Sequence, residues 1–170
     1  MRRLPAAGLA TAAVLFALDQ LSKVGVTRGL GLDSLDDAVP ITSFFNLRFV
    51  PNRGVSLSLL HADNDAMRWA LVALTGAIAA GVAVWMFRER NPQDRMALGL
   101  ILGGALGNIA DRVRLGYVID FADLHFGEWR PFLIFNVADA AITIGVLVLL
   151  VRAFLMRDKR ATAPVETPHA

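Results

Sequence analysis

The sequence predicts an all-α integral membrane protein with four transmembrane helices and a small β-sheet on the outer side of the membrane. Of the 170 residues, 55% are hydrophobic and the mean hydropathy is +0.51, whereas a soluble domain is typically about 45 to 50% apolar. Four apolar stretches are long enough, or nearly so, to cross a bilayer. A fifth stretch alternates β-branched, aromatic and polar residues, which is typical of strands.

The composition excludes several kinds of site. Without cysteine, the chain has no disulfide, no thiol nucleophile and no cysteine-based metal site. Its three histidines, His61, His125 and His169, are too scattered to suggest a metal centre, so we predict neither a metal nor a cofactor. The pI of 9.7 reflects a formal charge of only +2. In a membrane protein such charge serves topology, and we predict no nucleic-acid partner.

We predict spans near residues 4–22, 69–87, 96–110 and 132–155, read with a window of about 19 residues. They would form a single membrane-embedded domain over residues 1–155, followed by a disordered cytoplasmic tail at 156–170. The first span is ambiguous, because Arg2 and Arg3 before an apolar run also resemble a signal peptide. We favour a retained anchor, since no small-x-small cleavage site with a soluble domain follows.

Basic residues near the span ends favour placing both termini in the cytoplasm. With that orientation, the Lys and Arg residues of the termini and of the loop at 88–95 lie in short cytoplasmic segments. The outer basic residues are mostly diluted over the long loop between spans one and two, and only charges in short loops set topology strongly. The polar residues discussed below would then lie in the outer leaflet.

The outer loop near residues 39–60 is predicted to contain short strands around the turn Pro51-Asn52-Arg53-Gly54. A disordered connector is the alternative. Strands here would form a cradle that binds an extended peptide by main-chain pairing. In span three, Gly99, Gly103 and Gly107 recur at a spacing of four, which favours close approach of another helix.

Ionisable and amide side chains concentrate at the outer ends of the spans. Asp19 ends span one, Asp111 ends span three, and Asp139 would lie about 12 Å along span four, counted from Pro131. Asp120 lies in the loop at 117–130, close enough to fold over span four. A charge at the bilayer centre costs at least about 2.5 to 3.5 kcal/mol, so intramembrane acids suggest function.

Asp120 and Asp139 are the candidate catalytic pair. Two carboxylates in a low-dielectric pocket share one proton, as in aspartic proteases. One could then activate a water while the other donates a proton to the carbonyl oxygen or the leaving amine. Neighbouring Asn and Arg side chains could orient the substrate or stabilise the oxyanion.

Five sequence blocks, from Asp19 to about Ile144, resemble the lipoprotein signal peptidases, also called signal peptidase II. The blocks are Asp19-Gln20-Leu21-Ser22-Lys23, Asn52-Arg53-Gly54, Gly103-Gly104-Ala105-Leu106-Gly107-Asn108-Ile109-Ala110-Asp111-Arg112, Val118-Ile119-Asp120-Phe121 and Phe135-Asn136-Val137-Ala138-Asp139. Taken together and in order, they are highly specific, although a lone Asn-x-Gly is not.

The resemblance implies an aspartic endopeptidase of the bacterial inner membrane that cleaves prolipoproteins just before a diacylglyceryl-modified cysteine. It also implies a short surface helix beside the sheet, lipid-modified prolipoproteins and membrane lipid as partners, and inhibition by globomycin. The dyad corresponds to Asp120 and Asp139. The residues implied to bind substrate or support the dyad are Asp19, Lys23, Asn52, Gly54, Asn108, Asp111, Arg112 and Asn136. One departure is Val55-Ser56-Leu57, where the family has small residues and then Phe.

Other interpretations remain open from the residues alone. A proton-coupled transporter would also use buried acids, although we see no inverted repeat. A non-enzymatic assembly protein would use the glycine stripe and the Asn residues to bind other helices. Asp19 and Lys23 could be only a surface ion pair, Asp111 and Arg112 could mark a span end, and Asn52 with Gly54 could serve only a turn. Four spans can complete a bundle, and we expect a monomer.

Overall fold

A computed structural model describes residues 4–54 and 65–161. The elements in chain order are α1 (Ala6–Val24) with a π-helical continuation (Gly25–Gly29), β1 (Ala38–Thr42), β2 (Phe45–Asn52), α2 (Asp65–Arg88), α3 (Pro92–Leu115), β3 (Val118–Leu124) and α4 (Val137–Ala161). The four α-helices are all long and apolar enough to cross a membrane. Together with a three-stranded antiparallel sheet, they confirm the predicted fold class.

Helix α3 lies at the centre of the bundle, because it packs against each of the other three helices. Half of its apolar window is buried inside the protein, compared with 11% for α2. Gly99 and Gly103 lie against the α1 backbone, where an added Cβ would meet Gly8 and Ala12. Gly104 faces the backbone of α4 at Ala138. Because these three positions have no side chain, α1 and α4 can each pack closely against α3.

Helix α3 extends beyond the predicted span at both ends. Its first turn begins at Pro92 and is capped by Asn91, whose side chain accepts from the N–H groups of Gln93 and Asp94. It ends at Leu115 and is capped by Gly116, which adopts φ +85°. The hydropathy window detected only the apolar middle, because the first and last turns carry charged residues.

The sheet has the order β1-β2-β3, and β2 is its central strand. Strands β1 and β2 fall within or next to the predicted strand region, whose residues 55–60 lie outside the described residues. In the β2–β3 register Val50 lies opposite Asp120, and Asn52 lies opposite Val118. Consequently Asp120 lies on a strand, not in the loop expected at 117–130. The alternation that signals a strand is absent, since Val118 through Asp123 are all buried.

The sheet has its own hydrophobic core, which joins it to the end of α1. Val26 in the π-helical turn and Leu32 pack with Phe49 of β2 and with Ile119 and Phe121 of β3. This core holds the sheet against the membrane-spanning bundle at the end where α3 stops and α4 starts.

Helix α4 begins at Val137, five residues later than the predicted start at 132. The preceding residues are apolar but belong to the sheet, because Phe135 exchanges backbone hydrogen bonds with Ala122 of β3, at 2.8 and 3.2 Å. Asp139 therefore lies in the first turn of α4, not about 12 Å along it as expected from the rise per residue. At the far end α4 runs to Ala161, and residues 162–170 of the predicted tail lie outside the described residues.

The short surface helix implied by the resemblance has no separate counterpart within residues 4–54 and 65–161. The π-helical turn Gly25–Gly29 continues α1 directly. The departure at Val55-Ser56-Leu57 lies in the range 55–64, outside the described residues.

Candidate active site

The N-terminus of α4 positions the first carboxylate of the candidate pair. The Asp139 N–H donates to Asn136 Oδ1 at 2.9 Å, and the Asn136 N–H donates back to Asp139 Oδ2 at 3.3 Å. This reciprocal pair is the arrangement of a capping box, with Asp at the third helical position. These two hydrogen bonds fix the Asp139 carboxyl group at the N-terminus of α4, where the positive end of the helix dipole lies.

Asn136 also connects this carboxylate to the second one. Its side-chain amide donates to Asp120 Oδ1 at 2.6 Å and to Asn108 Oδ1 at 3.2 Å. Asn108 in turn donates to Asp139 Oδ1 at 2.8 Å. The remaining oxygen of Asp120 accepts from Asn52 Nδ2 at 2.8 Å. Every oxygen of the two acids thus accepts a hydrogen bond from a neutral N–H donor.

Burial changes the acidity of Asp120, whose residue is only 2% exposed. Loss of hydration raises the pKa of Asp120 to about 6, and repulsion from Asp139 contributes to the rise. The hydrogen bonds from Asn52 and Asn136, together with the positive charge of Lys23, limit it. A group with this pKa can hold a proton under mildly acidic conditions and release it near neutrality.

A second set of buried charges lies beside the pair and consists of Asp19, Lys23 and Asp111. Lys23 Nζ lies 2.8 Å from Asp19 Oδ2 and 2.7 Å from Asp111 Oδ2, and all three side chains are at most 2% exposed. The pair at spacing four is therefore not a surface ion pair. Two acids around one lysine also require further donors, because buried charge is costly unless it is paired and hydrogen-bonded.

Those further donors come from the elements that carry the candidate pair. Asp19 Oδ1 accepts from the Ala138 N–H at the start of α4, at 3.0 Å. Asp111 Oδ2 accepts from the Ile119 N–H of β3 at 3.3 Å, next to Asp120 in the chain. The ion-paired cluster therefore anchors both α4 and β3, and Lys23 reaches Asn108 Oδ1 at 3.3 Å.

Asn52, at the turn after β2, both closes the turn and contacts Asp120. The Gly54 N–H donates to Asn52 Oδ1 at 2.8 Å, while the Asn52 amide donates to Asp120. Gly54 adopts φ +88°, which L side chains rarely adopt, and an added Cβ would meet Leu71 and lie 3.6 Å from Arg112 Nη2. The turn and the contact to the acid thus depend on the same two residues.

Arg112 lies close to both acids and carries an unsatisfied donor. Its Nη1 lies 3.5 Å from the carbonyl of Asn108, and it interacts electrostatically with Asp139 and Asp120. Its Nε is buried and finds no hydrogen-bond partner within residues 4–54 and 65–161. Since a buried unsatisfied N–H is costly, this donor is suited to a group that enters the site.

A cleft of about 710 Å³ opens onto Asp120. The residues that line it are Val50, Pro51, Asn52, Arg53, Gly54, Asp120, Arg130, Pro131, Phe132, Leu133 and Ile134. One wall is polar, and the other is apolar and open, with Phe132 62% and Leu133 83% exposed. Such a cleft can hold a chain that is polar on one side and apolar on the other.

All ten predicted site residues lie in one connected network of hydrogen bonds and ion pairs. It runs from Asp111 and Asp19 through Lys23 to Asn108, and on to Asp139 and, through Asn136, to Asp120. Asn52 and Gly54 join through Asp120, and Arg112 joins through Asn108.

Sequence reasoning missed Gln20 as a site residue. Gln20 Nε2 donates to Asp111 Oδ1 at 3.0 Å and to the carbonyl of Gly107 at 3.3 Å. Its place inside the first motif block was a signal that could have identified it. The ion pair of the buried Asp123 with the exposed Arg130 was also missed, and no motif pointed to it. Within residues 4–54 and 65–161, no group of three or more His, Cys, Asp or Glu side chains could hold a metal ion.

The chain is similar to proteins of one family along most of its length. A family model described as signal peptidase (SPase) II matches residues 11–155. A lipoprotein signal peptidase from Sphingopyxis alaskensis is 58% identical over 156 residues, which cover 92% of this chain and 90% of that protein. Another from Rhizorhabdus wittichii is 54% identical with the same coverage.

Two solved structures share the fold. One, described as a bacterial membrane enzyme structure determined by the in meso method at 2.3 Å resolution, has a TM-score of 0.77 and 25% sequence identity. The match covers 98% of this chain and 97% of the other. A second, described in the same words at 1.9 Å resolution, has a TM-score of 0.74 and 26% identity, over 89% of this chain and 95% of the other.

Proposed function

Because this chain belongs to the lipoprotein signal peptidase family, signal peptidase II, we propose that Asp120 and Asp139 are its catalytic dyad. The function of the family is the cleavage of signal peptides from prolipoproteins, so the chain is a protease with prolipoprotein substrates. Its four spanning helices make it a multi-pass protein of the bacterial inner membrane. The transporter and assembly hypotheses thereby lose their basis.

The observation that carries the aspartic mechanism is the shared amide of Asn136. The Asn136 side-chain Nδ2 donates to Asp120 Oδ1, its backbone N–H donates to Asp139 Oδ2, and its side-chain Oδ1 accepts from the Asp139 N–H. The two carboxyl groups are thus held together by one residue, and neither forms an ion pair within residues 4–54 and 65–161. This supports a dyad that holds one proton.

The environment of Asp120 supports placing the shared proton of the proposed dyad on this acid. The raised pKa of Asp120 supports its role as the protonated member of the pair, and Asp139 lies in the first turn of α4, where the helix N–H groups point. Asp139 is then the general base, and Asp120 is the general acid. Neither role requires a metal or a cofactor.

The reaction proceeds in two steps. Asp139 takes a proton from a water molecule, whose oxygen bonds to the scissile carbonyl carbon, while Asp120 gives its proton to the carbonyl oxygen. The resulting gem-diol then collapses: the C–N bond breaks, Asp139 returns its proton to the leaving amine, and Asp120 recovers a proton from a hydroxyl. Both acids end in their starting protonation states.

The supporting residues have roles that follow from their contacts. Asp19, Lys23 and Asp111 anchor α4 and β3, which carry the dyad. Asn108, Asn136 and Asn52 orient the carboxyl groups. The unsatisfied Nε of Arg112 would bind a substrate oxygen near the dyad, and Gly54 keeps the turn open beside it.

Several finer features also belong to the proposal. The substrate carries a diacylglyceryl group on the cysteine that follows the scissile bond, and globomycin inhibits the reaction. A single domain over residues 1–155 acts as a monomer in membrane lipid, with both termini cytoplasmic and the dyad near the outer leaflet. The distribution of basic residues in the short segments supports this orientation.

The direct test is cleavage of a diacylglyceryl-modified prolipoprotein by purified protein in detergent, followed by mass. Wild type should release the signal peptide just before the lipidated cysteine, and Asp139→Asn should release none. Asp36→Asn is the matched control, since Asp36 is exposed and lies outside the network. Cleavage by Asp139→Asn at the wild-type rate would defeat the dyad.

A further inference from the structure

A second buried acid on β3 is not used by the proposed mechanism. Asp123 is only 1% exposed, and its Oδ1 accepts from Arg130 Nε at 3.0 Å. Its other oxygen is buried and has no hydrogen-bond partner among the residues that the structure describes. A buried carboxylate with one free oxygen is costly, so the Asp123 charge strongly favours keeping the Arg130 cation in place.

Arg130 contributes only part of its hydrogen-bonding capacity to this pair. A guanidinium has five N–H donors, and Arg130 uses Nε alone among residues 4–54 and 65–161. Its side chain is 46% exposed and lines the same cleft as Asp120. The terminal N–H groups are thus available on the wall of the cleft that holds the proposed acid.

The backbone before Arg130 is also held in place. Phe126 and Trp129 exchange backbone hydrogen bonds at 2.8 and 3.3 Å across a tight turn, in which Gly127 adopts φ +64°. The Phe126 ring stacks on Phe44 of the β1–β2 turn, with ring centroids 6.3 Å apart. Arg130 therefore projects from an anchored hairpin and is held by a buried acid, which is an arrangement that preorganises a binding group.

We infer that Arg130, positioned by Asp123, binds oxygen acceptors of the substrate segment that follows the scissile bond. This inference rests on the proposed function. The signal peptide is apolar and belongs in the bilayer, whereas Arg130 lies outside the spanning helices, beside the sheet. The polar mature segment is the part of the substrate that reaches this wall, and its main-chain carbonyls and carboxylates are the acceptors that a guanidinium fork prefers.

The test measures binding of a fluorescent prolipoprotein to the inactive Asp139→Asn protein, in maltoside micelles without phospholipid. In this Asp139→Asn background, the further substitution Arg130→Gln should weaken binding about tenfold, which is the loss expected for a charge-assisted hydrogen bond. Arg130→Lys should fall between the two, because it keeps the charge without the fork. Arg28→Gln, an exposed arginine outside the cleft, is the matched control and should bind as its parent does.

Asp123 should act through Arg130. Asp123→Asn should weaken binding in the same direction, and the double variant with Arg130→Gln should bind no more weakly than Arg130→Gln alone. In the otherwise wild-type enzyme, Arg130→Gln should raise KM and leave kcat within about a factor of two, as expected for a group that binds substrate and transition state equally. Two substrates that differ only in having Asn or Asp at the second residue of the mature segment should be compared. Tighter binding of the Asp substrate would show that Arg130 binds a carboxylate, and equal binding would show that it binds a main-chain carbonyl.

The outcomes separate this inference from the dyad. Equal binding by the Arg130→Gln and Arg28→Gln proteins would overturn it, and so would a loss of binding that appears only when phospholipid is added. A fall in kcat with unchanged binding would also overturn it. Cleavage by Asp139→Asn would instead overturn the proposed function, whatever Arg130 does.

Discussion

Two groups of acids lie side by side in this protein and are held in different ways, and all of them are buried except Asp139, which is half-buried. Asp19 and Asp111 lie within 3 Å of the Lys23 ammonium. Asp120 and Asp139 accept hydrogen bonds from amides, and neither forms an ion pair with any residue in the described ranges 4–54 and 65–161. An adjacent cation stabilises the carboxylate form strongly, whereas a neutral amide does so to a smaller extent.

This difference suggests a structural role for the ion-paired acids and a catalytic role for the amide-held acids. Asp19 and Asp111, paired with Lys23, serve as anchors for α4 and β3. Asp120, held by amides, has a pKa raised to about 6, and an acid of this kind can exchange a proton during general acid–base catalysis. The four predictions below break or sharpen the comparison, from the largest expected effect to the smallest.

Changing an amide-held acid should abolish activity and preserve the fold. Asp120→Asn should lower kcat by at least about 1,000-fold, because the general acid is lost, while its thermal unfolding temperature in detergent stays near that of wild type. Cleavage measured by mass and unfolding measured on the same preparation check this. A variant that unfolds early, or one that cleaves at a normal rate, would contradict the separation of roles.

Removing the Lys23 ammonium should mainly lower the stability of the fold. Lys23→Met leaves two buried carboxylates uncompensated and should destabilise the fold by about 3 to 5 kcal/mol. Thermal unfolding in detergent measures the loss, with the exposed Arg28→Met as the control for removing a positive charge. Unchanged stability would show that the cluster does not anchor α4 and β3.

The close approach of α3 to the ion-paired acids should have an intermediate effect. A Cβ at Gly107 would collide with the Asp19 carboxylate, whereas at Gly76 of α2 it would meet nothing within 4 Å. Gly107→Ala should therefore destabilise by about 1 to 3 kcal/mol. Gly76→Ala, which makes the same change in another spanning helix, should be neutral or stabilising by up to about 1 kcal/mol. Equal unfolding temperatures for the two variants would argue against tight packing at Gly107.

The smallest effect is a change in pH dependence. Since Asp120 must be protonated to act as the acid and its pKa is raised to about 6, kcat/KM should fall as the pH rises through about 6. The Asn52 hydrogen bond lowers this pKa. Asn52→Ala should therefore move the alkaline limb to higher pH, as a pH–rate profile measures. A shift to lower pH would contradict the role of the amide.

Much of the site could be predicted because its residues occur in short blocks at the ends of apolar spans. Asp19 and Asp111 required only helix periodicity and span boundaries to be placed together. Asp120 was expected near α4, although not on a strand, because β3 is buried on both faces and lacks alternation.

The features that were not predicted depend on long-range pairing. Phe132 through Phe135 are as apolar as a helix start, yet the backbone of Phe135 bonds to β3, so α4 starts later and Asp139 lies in its first turn. The Asp123–Arg130 pair depends on the tight turn between Phe126 and Trp129, which the hydrophobic pattern of the sequence does not predict. The ion-paired burial of Lys23 also depends on Asp111 of another helix, which the spacing of Asp19 and Lys23 alone does not reveal.

Infrared titration of protein with isotope-labelled aspartate tests the central claim most directly, because it detects protonated carboxyl groups. The account predicts a protonated carboxyl absorption that disappears as the pH rises through about 6, is absent in Asp120→Asn and is unchanged in Asp36→Asn. An Asp120 signal that disappears instead near the ordinary value of 3.8 would contradict it, because Asp120 would then lack the proton that the proposed general acid donates.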